Sequence, residues 1–355
     1  EKPPITPEEV SVADTKDFSE ALAATEMDMD LSSLLETTTT SPLTLKGLYS
    51  NRTPENIGKA LKKYSGGLGD MTERAVLRAL IWLRDHQEAD GSWSPQHKEA
   101  MSGLALLAFL AHGETPDSAE FGITVQKAIQ YLVNAMLQKR GGGNPYVHGI
   151  HTYALCEAYG LTKLPLIKPA MEQGLLYVIR GQQEGGGYDY NYAKGDRWDL
   201  SVSAWQFQAL KATHAAGAQV EGHEEALAKA IDFLKNTTYK DGSFGYSSPG
   251  SGSGGMQGAG TLALQLLGEG KSAQAQAGVR NISSNFKPEW DDDLKAAAHS
   301  HPSYEWYYQT QAMFHGGQSA FRAWNKVFAP MLIKNQKQDG HWEAPGINDQ
   351  LGAFD

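Results

Sequence analysis

The alternation of apolar and polar positions divides the chain from Met71 onward into two kinds of helical stretch. Ala75, Val76, Ala79, Leu80 and Leu83 recur at i, i+1, i+4, i+5 and i+8, and Ala226, Ala230, Ile231, Phe233 and Leu234 follow a similar rhythm. This spacing predicts helices with one buried face and one charged, solvent-facing side. The second kind is apolar nearly all round, in residues 101–112, 147–159, 200–214, 256–267 and 304–315. A helix without a polar face is enclosed on every side. The two kinds alternate, which predicts outer and inner helices.

Glycine-rich turns separate them. Gln87-Glu88-Ala89-Asp90-Gly91-Ser92-Trp93 returns as Gln336-Lys337-Gln338-Asp339-Gly340-His341-Trp342. Between them stand Gln183-Glu184-Gly185-Gly186-Gly187-Tyr188 and Tyr239-Lys240-Asp241-Gly242-Ser243-Phe244. Weaker copies are Gln138-Lys139-Arg140-Gly141-Gly142-Gly143 and Trp290-Asp291-Asp292-Asp293. The six marks repeat about every fifty residues, which fits one outer helix, a turn and one inner helix. Glycine permits the positive φ that reverses the chain, Asp closes the turn, Gln bonds a free backbone group at a helix end, and the aromatic packs back between hairpins. Inner helices this apolar would be exposed in a linear array. Closure into an all-α ring, an α/α toroid of about six hairpins, buries them. The sixth inner helix is missing, because little chain follows Trp342. Residues 50–70 or a neighbouring chain are expected to fill its place.

Composition changes the picture at the N-terminus. Residues 1–45 hold Pro3, Pro4, Pro7, Pro42, the run Thr37–Ser41 and eight acidic side chains from Glu8 to Asp30, with no Trp or Tyr before Tyr49. That is stem composition. The domain reading is therefore a stem and lead-in over 1–70 and a toroid over 71–355. The chain opens on Glu1 rather than Met, so a membrane tether upstream and an extracytoplasmic or membrane-anchored location are expected. The net charge is −10 and no basic cluster interleaves with aromatics, which argues against a nucleic-acid partner. The single Cys156 excludes a disulfide framework and any multi-cysteine zinc site.

The Gln-x-x-Asp-Gly-Ser-Trp turn resembles the Gln-Trp motif of squalene and oxidosqualene cyclases, and the wider pattern resembles the prenyltransferase and squalene-oxidase repeat family of bacterial type. Asp199-Leu200-Ser201-Val202-Ser203-Ala204-Trp205-Gln206, Tyr246-Ser247-Ser248-Pro249-Gly250 and the segment from Trp306 to Gly317 fit the same family. The resemblance covers roughly residues 71–345. It implies a terpenoid cyclase-like toroid acting on or binding an isoprenoid or other hydrophobic ligand in a central, aromatic-lined cavity.

Class II cyclases of this family protonate an alkene with the middle Asp of Asp-x-Asp-Asp. Here Asp196 and Asp199 match the outer positions and Trp198 stands at the donor, so the usual route lacks its acid. Asp199 also reads as the N-cap of an inner helix. Cys156 sits in an apolar helix and does not complete a prenyltransferase zinc site. His148 and His151, three apart on one helical face, are candidates for acid–base work, and core or cap histidines are the plainer reading. The Asp291–Asp293 run reads as a solvated loop. No cofactor or metal is expected. Tyr153, Trp198, Trp205, Trp306, Tyr307, Tyr308 and Phe314 are the candidate ligand-binding aromatics, since rings stabilise cations and fill cores alike. Adjacent Tyr307 and Tyr308 are not expected to face the cavity together.

Three functions follow. One is an isoprenoid-handling cyclase-like enzyme using Asp196, Asp199, His148 or His151. Another is a non-catalytic cell-surface toroid binding a lipid, glycan or protein. The third is a polysaccharide lyase or hydrolase on the same fold. A closed, dry cavity favours the first, and an open groove of Trp, Arg and Asp favours the third. A filled centre counts against both enzymes.

Overall fold

The computed structural model describes residues 52–63, 65, 67–139, 143–218, 220–290 and 301–343. The stem, Arg140–Gly142, the Asp291–Asp293 run and the last twelve residues lie outside them. Among the described residues there are twelve α-helices and one two-residue hairpin. A short α1 (Pro54–Lys63) precedes the outer helix α2 (Met71–Asp85). Inner and outer helices then alternate: α3 (Lys98–Ala111), α4 (Gly122–Leu137), α5 (Pro145–Thr162), α6 (Ile167–Gly181), α7 (Leu200–Ala215) and α8 (His223–Asp232). The alternation continues through α9 (Gly254–Leu264), α10 (Ala273–Asn285), α11 (Pro302–His315) and α12 (Gln318–Asn335). The hairpin pairs β1 (Tyr239–Lys240) with β2 (Ser243–Phe244) antiparallel. No helix among the described residues is long and apolar enough to cross a membrane.

The inner helices are those read from the sequence. α3 packs on α5, α5 on α7, α7 on α9 and α9 on α11. Every residue of α9 is buried, and α7 exposes none of its residues. Small residues allow the close approach. A Cβ on Gly258 would stand 2.8 Å from Tyr308 Cβ, and one on Gly103 would stand 3.2 Å from Ile150.

The turns act as staples between successive outer helices. Gln87 Nε2 donates to Gly91 O within its own turn and to Thr124 O of α4, each at 3.0 Å. Gln182, one residue before the glutamine expected from the sequence, does the same to Gly186 O and to Ala226 O of α8. Gln336 repeats it on Gly340 O and on Ala75 O of α2. The third case joins the last turn to the first outer helix and closes the ring. Trp93 and Trp342 donate from Nε1 to the carbonyls of Leu83 and Leu332, which ties each turn back to its own outer helix. Asp90 accepts from Ser92 N at 3.0 Å, the turn-closing role expected of it. Replacing Gln336 by Ala leaves Gly340 O without this donor and removes the second donor of Ala75 O, and is expected to cost about 1–3 kcal/mol. Hydrogen exchange should then accelerate in α2 and α12 and leave α7 unchanged.

Among the described residues no helix takes the sixth inner position, between α11 and α3. α1 falls within the stretch read as lead-in and packs chiefly on α2, where Thr72 Oγ1 donates to Leu61 O at 3.0 Å. Arg52 pairs with Glu157 of α5 at 2.7 Å, and the Arg52–Thr53 backbone lies against Gly113 at the end of α3. Residues 52–61 thus cover the far end of the ring and do not replace the missing helix.

Candidate functional site

The start of α7 is held between two neighbouring turns. Asp199 N donates to Tyr188 O and Leu200 N to Tyr246 O, each at 2.8 Å. Asp199 has extended backbone angles and caps the helix, its Oδ1 accepting from Ser201 N at 2.9 Å, Val202 N at 3.2 Å and Ser201 Oγ at 2.5 Å. The cap expected at this residue is therefore present. Its other oxygen, Oδ2, is buried and has no hydrogen-bond partner. Arg197 stands 3.7 Å from Oδ2, an ion-pair distance beyond hydrogen bonding, and also bonds Asp189.

Four tyrosines surround this carboxylate. Ser201 gives its proton to Asp199, so the Tyr146 hydroxyl donates to Ser201 Oγ, at 2.5 Å. Tyr304 donates to Ser201 O at 3.4 Å, and the Tyr190 and Tyr246 hydroxyls bond each other at 2.9 Å. The Tyr146 and Tyr190 rings lie 6.0 Å apart, and the Arg197 guanidinium lies 5.3 Å from the Tyr190 ring centre. Burial raises Tyr146, Tyr246 and Tyr304 above the usual phenol range, and the Asp199 charge adds to it, so these hydroxyls stay protonated. Tyr190 and Tyr246 are about 40% exposed and form the outer edge of this mouth. Tyr146, Tyr190, Tyr246, Tyr304, Ser201, Arg197 and Asp189 were not among the site residues expected from the sequence, although Ser201 and Tyr246 stand in stretches that fit the family pattern. Tyr146, Ser201 and Tyr304 share a register, each in the first turn of an inner helix, and that alignment was the available signal.

The sequence-predicted residues divide by direction. Asp196 is exposed, apart from the buried oxygen of Asp199. Trp198 is buried edge-to-face on Phe233, beyond α8, with ring centres 5.3 Å apart. Trp306 packs on Trp290 and Phe328, and Phe314 on Phe321 of α12. These three aromatics serve the outer layer and do not line the axis. Trp205, Tyr307, Tyr308 and Tyr153 do gather there: Trp205 lies 5.0 Å from Tyr307 and 5.4 Å from Tyr308, and Tyr153 packs against the core clusters on every side. Contrary to the expectation from adjacency, Tyr307 and Tyr308 both reach α7. Tyr307 donates to Gln208 Oε1 at 3.1 Å, and Gln208 Nε2 donates to the Tyr308 hydroxyl at 3.2 Å. α7 and α11 are two places apart in the inner ring, so these contacts close the axis below the mouth.

His148 and His151 share a face, and it points outward. His151 Nε2 donates to Leu132 O of α4 at 2.8 Å, which fixes its tautomer. Tyr192 gives its hydroxyl proton to Gln206 Oε1, so it accepts from His148 Nδ1, at 2.6 Å. Burial pushes His148 down to about 3 and His151 down to about 4, so both are neutral at physiological pH. Neither reaches the Asp199 mouth. Cys156 is buried against Thr213, and burial pushes its thiol up to about 12, the inert state of a structural cysteine.

A second polar cluster lies at the far end. His112 is buried between Glu114, 2.8 Å from its Nδ1, and Glu73, 3.2 Å from its Nε2. It floors an open groove of about 720 Å³ lined by Arg52, Glu55, Glu120 and Phe121 among others. The cluster ties α2 to the end of α3.

No protein-family model matches the chain, and no curated protein does. Among solved structures it resembles the type II terpene cyclase MstE from Scytonema without ligand, at TM-score 0.51 and 15% identity over 79% of this chain and 86% of that one. A variant of MstE in complex with geranylgeranyl dihydroxybenzoate gives TM-score 0.52 and 16% identity over 77% and 81%. An unsaturated glucuronyl hydrolase from Streptococcus agalactiae gives TM-score 0.44 and 13% identity over 78% and 93%. The chain is an α/α toroid. Identity this low carries the toroid fold and not an activity.

Proposed function

We propose that this toroid binds a small molecule at the Asp199 mouth and does not cyclise polyenes by the family's proton-donor route. The supporting observation is the buried, unbonded Asp199 Oδ2 beneath four tyrosine rings. A buried carboxylate oxygen without a donor is costly unless something supplies one. The donor position of the family motif is held by Trp198, which packs away from the mouth. Trp205, Tyr307 and Tyr308 pack together below and close the axis, so this reading expects a small ligand seated at the mouth and not a long polyene within the ring. A glycan would use the Asp, Arg and Tyr hydroxyls of the same mouth. The acidic stretch 1–45 supports display of the toroid on a stem, outside the cytoplasm or at a membrane.

The test uses the full chain and Asp199→Asn. Asn caps a helix as well as Asp does, so stability should change by only about 0.5 kcal/mol or less. Wild type incubated with squalene or a geranylgeranyl arene should yield no cyclised product by mass spectrometry. Calorimetry with compounds co-purifying from the native host, and with oligosaccharides, should show binding that the Asn variant loses. Cyclised product, or ligand binding indifferent to Asp199, overturns the reading.

A further inference from the structure

The mouth carries a chemical preference that follows from its charge. Asp199 Oδ2 accepts nothing, and Ser201 Oγ already gives its proton to Oδ1. Tyr146 spends its hydroxyl proton on Ser201 Oγ and Tyr304 on Ser201 O, while Tyr190 and Tyr246 share one hydrogen bond, which leaves a single phenol proton at the rim, where Tyr246 comes within reach of the Asp199 carboxylate. What surrounds Oδ2 is carboxylate charge, ring faces and hydroxyl oxygens with that one neutral donor, a setting that attracts a positive group. The protein's own cation marks the preference. The exposed Arg197 reaches in from the rim, 5.3 Å from the Tyr190 ring and 3.7 Å from Oδ2, without making the hydrogen bond.

We infer that the mouth takes the ammonium group of a primary or secondary amine, which donates to Asp199 Oδ2 inside the cage of Tyr146, Tyr190, Tyr246 and Tyr304. The inference rests on the proposed binding role of this mouth and names its ligand chemistry. A protonated amine brings the missing donor and the charge together. A quaternary ammonium brings charge alone, an alcohol a donor alone. Entry requires the Tyr190–Tyr246 hydroxyl pair to part, and both rings are exposed enough to swing outward. Arg197 then swings out with them and keeps its bond to Asp189. It is thus a competitor for the site.

Calorimetry of the full chain with cyclohexylmethylamine, its N-trimethyl derivative, cyclohexylmethanol and cyclohexanecarboxylate tests this. The amine should bind wild type about tenfold or more tighter than the alcohol, with the quaternary salt between them. Asp199→Asn should abolish the preference while the fold persists, and Arg197→Ala should tighten the amine severalfold. Equal affinity for amine and alcohol, both lost in Asp199→Asn, overturns the ammonium assignment and leaves the mouth as the binding site. Carboxylate binding that disappears in Arg197→Ala overturns it in favour of an anion. Amine binding untouched by Asp199→Asn overturns the assignment and the binding role together.

Discussion

Gly186→Ala is expected to lower stability by about 3 kcal/mol or more, a fall in Tm of roughly 6 °C or greater. Two effects act at once. Gly186 has φ +89°, a conformation that a Cβ disfavours, and an added Cβ would stand 2.1 Å from Lys229 O of α8. The atom it meets is backbone in a helix, which yields only if α8 moves. The Gln182 staple fixes the same place, so movement also strains the bonds to Gly186 O and Ala226 O. Gly185 is the control beside it, with nothing within 4 Å of its added Cβ. Gly185→Ala should change stability by about 0.5 kcal/mol or less. Thermal unfolding of the two variants side by side decides it, and equal Tm values would show that the turn does not fix the α6–α8 spacing.

Mild acid is the second large effect. His148 and His151 titrate in the fold near 3 and 4, below the ordinary histidine value of about 6.5. The unfolded chain therefore binds more protons than the folded one between those limits. Stability is full above about pH 6.5 and is lost as pH falls toward the folded values. At pH 5 each histidine is expected to have removed about 2 kcal/mol. The cause is burial first, and for His148 the neighbouring His151 as well. Denaturant unfolding measured from pH 7.5 to 5 checks this above the range where carboxylates dominate. Burial pushes His223 down to about 4 as well, so it adds a similar share, and His151→Gln, which keeps a donor for Leu132 O, should flatten the acid limb by about a third. A slope unchanged in that variant would place the acid sensitivity elsewhere.

The fold was largely legible because its two signals are periodic. Outer helices carry a charged face, and the Gln–Gly–Trp turns recur at a near-constant step. The staple partners were not legible, since Thr124, Ala226 and Ala75 contribute only carbonyls, which every residue has. The site was legible at Asp199, where a capping residue precedes an apolar run. It was obscure among the aromatics for a physical reason: α7 and α11 are apolar all round, so the sequence does not say which ring faces the axis. Trp205 and Tyr308 turned inward, and Trp306 and Phe314 outward, from the same kind of pattern. His148 and His151 do share a face, but spacing does not say whether that face looks to the axis or to α4. The tyrosine cage needed the starts of α5, α7 and α11 brought to one level, which only packing provides.

The bond from Gln336 to Ala75 has a topological meaning. A tandem array with free ends needs special terminal repeats to shield what its neighbours would otherwise cover. Here the last turn grips α2 as the Gln87 turn grips α4 and the Gln182 turn grips α8, so the outer layer has no terminal member. Its order is a cycle: the chain enters it at α2, and the turn after α12 comes back along α2, with Gly340 against Arg78 O and the His341 ring 5.5 Å from that of Trp82. Where the polypeptide is cut is then a matter of history more than of stability. The ring would keep its staples if the break were moved to the loop around Gly217 and the two present ends were joined.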